Sequence, residues 1–238
     1  MKLVSAKTSW GKVLRFHIRE ETADADLVRC CVSGDDYRIR YFGVPGKLFV
    51  DVGAYIGPVT VAAASKGMRC IAVECLPENA ALIEQNVILN GYQGVVSVVQ
   101  KAIHDVSGEE VKAFYAPNDT AAMRRHRFIG NTHVDRKNDN YVTVPTVCLD
   151  DLVTEDVHVL KIDCEGAEWK MLEGATPSTL DRITFFIGEF HPTGRTWDEF
   201  MSLLHGKFRD VSKTYGYVPR IGNTYGPKSP RHFALVHI

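Results

Sequence analysis

The stretch FVDVGAYIGPVTVAAASKG, residues 49–67, decides the fold. It belongs to the run KLFVDVGA (47–54), which is almost continuously apolar, as expected of a strand buried on both faces. GPVTVAAASKG follows with small apolar residues at helical spacing, and Gly67 ends that helix. A buried strand feeding directly into a helix is the opening unit of a parallel sheet wrapped by helices.

The same alternation continues downstream. CIAVEC (70–75) reads as the second strand, and PENAALIEQNVILNG (77–91) as a helix with Pro77 in its first turn and Gly91 past its end. GVVSVVQKAI (94–103) reads as one third strand. EEVKAFYA (109–116) and YVTVPTV (141–147) read as an inserted hairpin, or edge strands, around a long loop. VHVLKIDCEGAE (157–168) is a fourth core strand running into the helix EWKMLEGA (168–175). RITFFIGEF (182–190) is the fifth strand and WDEFMSLLHG (197–206) a helix, while FRDVSKTYG (208–216) and HFALVHI (232–238) close the sheet. No helix separates those last two strands, so they are expected to pair antiparallel at one edge. The prediction is a doubly wound, mostly parallel α/β sheet of seven strands with an antiparallel final strand. Residues 48–238 form this one domain, and residues 1–47 are an N-terminal extension. In the extension, KVLRFHIRE (12–20) alternates like a strand, and DADLVRCCVSGDDYRIRYF (24–42) reads as a helix followed by an edge segment.

Composition narrows the function classes. Among 238 residues, 28 Lys plus Arg balance 29 Asp plus Glu, so no global charge draws the chain to nucleic acid or an anionic membrane. No apolar run approaches the roughly 20 residues that span a bilayer. The start, MKLVSAKTSWGKVLRF, is interrupted by Lys7, Trp10, Gly11 and Lys12 before a signal-peptide core can form, so a cytoplasmic location is expected. The 6 cysteines include no C-x-x-C pair, which speaks for reduced, mostly buried thiols rather than a zinc site.

Ligands of doubly wound sheets sit beyond the carboxyl ends of the strands. There, after Asp51, Gly53 and Gly57 let the backbone turn and approach a ligand. Tyr55 stands where a dinucleotide fingerprint has its middle glycine, which disfavours a pyrophosphate, and no G-K-[ST] follows to make a P-loop. Glu74, roughly 20 residues on, is placed to accept hydrogen bonds from both hydroxyls of a ribose. Asp51 is placed to meet a cationic group such as an α-ammonium, directly or through water. A ribose acceptor with a cation site and no pyrophosphate site points to S-adenosylmethionine; the alternative is a structural turn with two solvated strand-end acids.

FVDVGAYIG, AVECLPENAALIEQNVILNG and VLKIDCEGAEWKMLEGA together resemble the FkbM family of class I S-adenosylmethionine-dependent methyltransferases, over about Leu48 to His191. The third motif is the specific one. Tyr55 departs from the family, which often has Asn there. The resemblance implies the Rossmann-like class I methyltransferase fold, with Asp51, Gly53 and Tyr55 lining the methionine end of the cofactor and Glu74 on its ribose. It further implies Leu76 over the adenine and Lys101–Ala102 at the adenine edge. GPVTVAAA is also similar to transfer-RNA guanine methyltransferases of the same superfamily.

KIDCEGAEWK places Asp163, Glu165 and Glu168 at a strand end and first helical turn, where carboxylates also serve as helix caps. GEFHP offers Glu189 and His191 at the neighbouring strand tip. Methylation of a hydroxyl needs its proton removed, and a positioned His or carboxylate does this. His191 reads as the only one of 9 histidines at a core strand tip and is the first candidate, with Asp163 and Glu189 beside it. The same three residues suit a divalent metal that chelates the acceptor oxygen, but their spacing does not force them together, and no metal is expected.

Two loops are candidates for choosing the acceptor. APNDTAAMRRHRFIGNTHVDRKNDN (116–140) concentrates Arg124, Arg125, His126 and Arg127, with Arg136 and Lys137 beyond, as an electropositive lid for a phosphorylated substrate or RNA would. YGYVPRIGNTYGPKSPRH (215–232) carries Tyr215, Tyr217 and Tyr225, suited to an apolar pocket wall. The expected activity is methyl transfer to a hydroxyl of a small molecule or glycan, with RNA methylation or non-catalytic cofactor binding as alternatives. The resemblance supplies the choice of oxygen.

Overall fold

The computed structural model describes residues 1–114, 141–191, 193–216 and 231–238. The chain opens with a hairpin, β1 (Lys2–Lys7) and β2 (Val13–Ile18), then α1 (Asp24–Val28), one turn of π-helix (Arg29–Ser33) and α2 (Ile39–Phe42). The alternating core follows: β3 (Leu48–Val52), α3 (Pro58–Ser65), β4 (Arg69–Val73), α4 (Pro77–Leu89) and β5 (Val96–Val99). Next come β6 (Ala102–His104), β7 (Glu110–Phe114), β8 (Tyr141–Cys148) and α5 (Leu149–Leu152). The last part holds β9 (Val157–Ile162), α6 (Glu168–Gly174), α7 (Pro177–Leu180), β10 (Ile183–Phe190), α8 (Trp197–Leu203), β11 (Phe208–Asp210) and β12 (Arg231–His237).

The main sheet has seven strands in the order β11-β12-β10-β9-β3-β4-β5. β10, β9, β3, β4 and β5 pair in parallel, whereas β12 pairs antiparallel with both β10 and β11. The sheet class, the strand number and the reversed final strand agree with the sequence reading. β3 is buried throughout, because its alternate side chains enter separate cores. Val50 and Val52 pack with Leu160, Ile162, Phe186 and Trp169 on one face, and Phe49 with Val59, Ala63, Val159 and Ile187 on the other.

Three local expectations need correction. GVVSVVQKAI is not one strand: Lys101 N–H turns back to Val99 O at 3.0 Å, so β5 ends the main sheet and β6 joins a three-stranded sheet with β8 and β7. The hairpin of β7 and β8 is antiparallel as expected. In the N-terminal segment, Lys2–Lys7 forms a strand the sequence reading did not assign, and residues 39–42 are helical, not an edge segment, with Ile39 and Phe42 buried one turn apart. This segment packs onto the domain: Leu14, Phe16, Val28 and Val32 share a core with Ile56, Val61, Leu82 and Ile83. Among the described residues no helix is long and apolar enough to cross a membrane.

Candidate active site

The turn after β3 is fixed from several sides. Gly53 has φ +78°, and a Cβ there would lie 2.0 Å from Asp163 O, so only glycine lets the turns after β3 and β9 touch. Tyr55, in the same left-handed region at φ 57°, is held at both ends. Its N–H donates to Glu74 Oε2 at 2.9 Å and its hydroxyl to Asp24 Oδ1 at 2.5 Å. Asp24 in turn accepts from Arg19 Nε and a terminal guanidinium nitrogen, each at 3.0 Å, and from Arg19 N–H at 2.8 Å. Burial works to raise the Asp24 carboxyl, but these donors outweigh it and hold it below its ordinary range.

Glu74, just past the end of β4, is 4% exposed. It accepts from Leu76 N–H and Tyr55 N–H at 2.9 Å each and from Asn79 Nδ2 at 3.3 Å. Burial raises its carboxyl above the usual value against the pull of those donors. Between these turns lies a cavity of about 470 Å³, within the range of small-molecule sites. Gly53, Tyr55, Glu74, Lys101, Ala102 and Asp163 all stand on its wall. The N-terminal segment adds Ala23, Leu27, Cys31 and Tyr37, so residues before β3 close one side.

Some expected contacts lie elsewhere. Asp51 is fully buried beneath the cavity, where its carboxylate meets Lys161 Nζ at 2.9 Å and accepts from Thr60 Oγ1 at 2.6 Å. The ammonium it faces is therefore internal. Gly57 starts α3 behind the wall, and Leu76 lies off the wall with its N–H on Glu74. Lys101 is on the wall, but its N–H is engaged by Val99.

At the other end of the cavity the tips of β9, β10 and β12 meet. Asp163, Glu165 and Glu189 line the wall, and His191 stands behind them. Asp163 Oδ2 accepts from Tyr37 OH at 2.5 Å. Burial, with Glu189 adding to it, pushes the Asp163 carboxyl up to about 6. Glu165 rises to about 8, chiefly through burial. Glu189 Oε1 lies 2.9 Å from His232 Nε2; burial works to raise its carboxyl, but His232 together with the charges of His191 and Lys161 lowers it. His191 Nδ1 is 2.9 Å from Glu168 Oε1, and its Nε2 is 3.5 Å from Glu165 Oε2 and 3.9 Å from Glu189 Oε2. Burial disfavours its charge, but Glu168 and the other acids win and raise it. Glu168 also accepts from Cys164 N–H at 3.0 Å, so it caps the turn before α6 and orients the imidazole together.

Convergence of Asp163, Glu189 and His191 is thus a property of the fold. His191 is not the sole histidine at a core strand tip: His232 reaches the same place because β12 runs backwards and pairs Glu189 with His232. The reversed final strand, already legible, was the signal for it. Tyr37 and Lys161 carried no comparable signal. The basic positions Arg124, Arg125, His126, Arg127, Arg136 and Lys137, and also Tyr217 and Tyr225, lie outside the described residues. Tyr215 packs on Phe42, ring centroids 4.7 Å apart, rather than on the cavity wall.

The sequence profile of the methyltransferase FkbM domain matches residues 51–219. The chain belongs to the FkbM methyltransferase family. No curated protein matches this FkbM methyltransferase in sequence. Among solved structures it is similar to an rRNA methylase from Streptococcus thermophilus, with 12% identity and a TM-score of 0.50 over 86% of this chain and 95% of that one. It is also similar to the Methanocaldococcus jannaschii tRNA m1G37 methyltransferase at 14% identity and TM-score 0.49 over 99% of this chain, which spans 56% of the length of that protein. At 12% identity the likeness to the rRNA methylase speaks for the class I methyltransferase fold alone. Family membership implies S-adenosylmethionine as methyl donor, and the cavity fits it: the buried Glu74 carboxyl on its wall keeps acceptor capacity beyond its three donors.

Proposed function

We propose that this FkbM methyltransferase methylates a hydroxyl oxygen of a small molecule or glycan. The observation that carries this reading is the group of Asp163, Glu165 and Glu189 on the cavity wall, backed by His191 and His232. Such a wall accepts hydrogen bonds and protons from hydroxyls. Its carboxylates oppose the phosphates that a nucleic-acid acceptor would bring.

Bound S-adenosylmethionine supplies an electrophilic methyl group. Glu74 would hold the ribose, Gly53 and Tyr55 the methionine end, and Lys101 and Ala102 the adenine side. Asp163 and Glu189 accept the hydrogen bond of the acceptor hydroxyl and thereby orient its oxygen. When the O–H bond breaks, the proton passes to a carboxylate oxygen of that pair. His191, tied to Glu168, offsets the negative charge of the cluster. Tyr37 and Leu27, with the rest of the N-terminal segment, keep water from one side of the cavity. Orientation supplies much of the rate, and proton removal typically adds 10²–10⁴-fold.

The test is transfer of labelled methyl from S-adenosylmethionine to a panel of polyols, glycans, hydroxy acids and total RNA, with Glu74→Ala as control. Label on a hydroxyl compound that disappears in the control supports the reading. Label on RNA alone, or none from folded protein that binds S-adenosylhomocysteine, overturns it.

A further inference from the structure

We propose that Asp163, Glu189 and His191 bind a divalent metal ion at the acceptor end of the cavity, and that the acceptor is an oxygen donor completing its coordination. The second half rests on the function proposed above; the first does not.

One ligand atom from each of the three residues lies within 4.8 Å of the others. That is close to the span of donors around one ion with metal–ligand bonds of about 2.0–2.2 Å. The set is not simply acidic. Each residue has its second polar atom fastened by a different outer group. Tyr37 OH donates to Asp163 Oδ2 at 2.5 Å, His232 Nε2 lies 2.9 Å from Glu189 Oε1, and Glu168 Oε1 takes His191 Nδ1 at 2.9 Å. That leaves the other carboxylate oxygen of Asp163 and of Glu189 and His191 Nε2, with Nε2 3.9 Å from Glu189 Oε2. Carboxylates and other groups that fasten the far atoms of ligands are what orient metal ligands in known sites. Glu168, fully buried and also accepting from Cys164 N–H, holds His191 through Nδ1, so an incoming cation meets Nε2 and displaces its proton.

The surroundings fit a cation. Glu165 Oε2, 3.5 Å from His191 Nε2, is near enough to add a further oxygen. The nearby ammonium of Lys161 does not fill the space, since it is spent on Asp51 Oδ1 at 2.9 Å and Gly53 O at 2.8 Å. Two carboxylates with one imidazole suit ions such as Mn²⁺, Fe²⁺, Co²⁺ and Zn²⁺. Asp163 and Glu189 also stand on the cavity wall, so an ion there has open positions toward a ligand in the cavity. A hydroxyl, or two neighbouring hydroxyls of a sugar or catechol-like ring, is the chemistry that takes such positions.

Chelator-treated full-length protein is titrated with Mn²⁺ and, separately, with Co²⁺, the free ion being read by electron paramagnetic resonance and the heat by calorimetry. One equivalent should bind to the wild type, and Asp163→Asn, Glu189→Gln and His191→Asn should lose it. Tyr37→Phe removes no proposed ligand, only the hydroxyl that fastens Asp163 Oδ2, and should weaken binding by about 10–100-fold. Circular dichroism establishes that each variant is folded, and Tyr37→Phe carries the test if a ligand variant is not. No binding of either ion by folded wild type overturns the site, as does binding at wild-type affinity by Glu189→Gln and Tyr37→Phe. A parallel titration with S-adenosylhomocysteine separates the two readings. Its binding without metal binding sinks the metal site alone, and metal binding without it sinks methyl transfer alone.

Discussion

Lys161 and Asp51 face each other across the parallel pair of β9 and β3, Nζ to Oδ1 2.9 Å, with both side chains almost wholly buried. The same ammonium donates to Gly53 O at 2.8 Å, so this ion pair ties the sheet centre to the glycine turn. Lys161→Met should cost about 3–5 kcal/mol in denaturant unfolding, because it leaves Asp51 buried without its counter-charge. Adding Asp51→Leu should return much of that loss. A single variant as stable as the wild type would mean that water or Thr60 suffices for Asp51.

Gly53→Ala sets a Cβ against Asp163 O, a backbone atom that cannot swing away, at a φ that alanine resists. A loss of more than about 3 kcal/mol is expected, together with loss of S-adenosylhomocysteine binding. Gly46→Ala has open space around the new Cβ and a comparable φ, so it isolates the strain from the clash. Similar unfolding curves for the two variants would sink the claim that the approach to Asp163 is what demands glycine.

Arg19, Asp24 and Tyr55 join the N-terminal segment to the turn after β3. Asp24→Asn should destabilise the protein by about 1.5–3 kcal/mol at neutral pH, the range for hydrogen bonds to a charged group. The carboxyl is depressed in the folded state, so its contribution is present above the unfolded value of about 3.9 and is lost as pH falls below it. Melting curves of wild type and variant should therefore separate at neutral pH and converge in acid. A gap that stays constant down to acid pH would contradict this.

Glu74 predicts a pH dependence of cofactor affinity. Its carboxyl is raised by burial, and only the ionised form is a full acceptor for two ribose hydroxyls. Affinity for S-adenosylhomocysteine should therefore fall as pH drops through the weakly acidic range, above the pH at which an exposed glutamate, near 4.3, would protonate. Glu74→Gln should bind about tenfold or more weakly at neutral pH and show a flatter profile. Calorimetry at several pH values decides it, and parallel profiles would remove Glu74 from the ribose site.

The sequence by itself determined the alternating strands and helices, the glycine turn, the acid at the end of β4 and the family, because these are written in short-range periodicity and contiguous motifs. Pro77 and Gly91 bracket α4 as read, since helix ends obey local rules. Even so, the break between β5 and β6 escaped, because VVSVVQKAI has no turn residue to mark where Lys101 folds back on Val99. Only the tertiary structure decided which charges meet. Asp51 finds Lys161 over a separation of 110 positions, Tyr37 reaches Asp163 across 126, and His232 joins Glu189 because one edge strand runs backwards. Such pairings depend on register and strand direction, which the periodicity of a single segment does not encode. The acids at the β9 and β10 tips were legible one by one; their shared partners, and so the chemistry they can perform together, exist only in the folded chain.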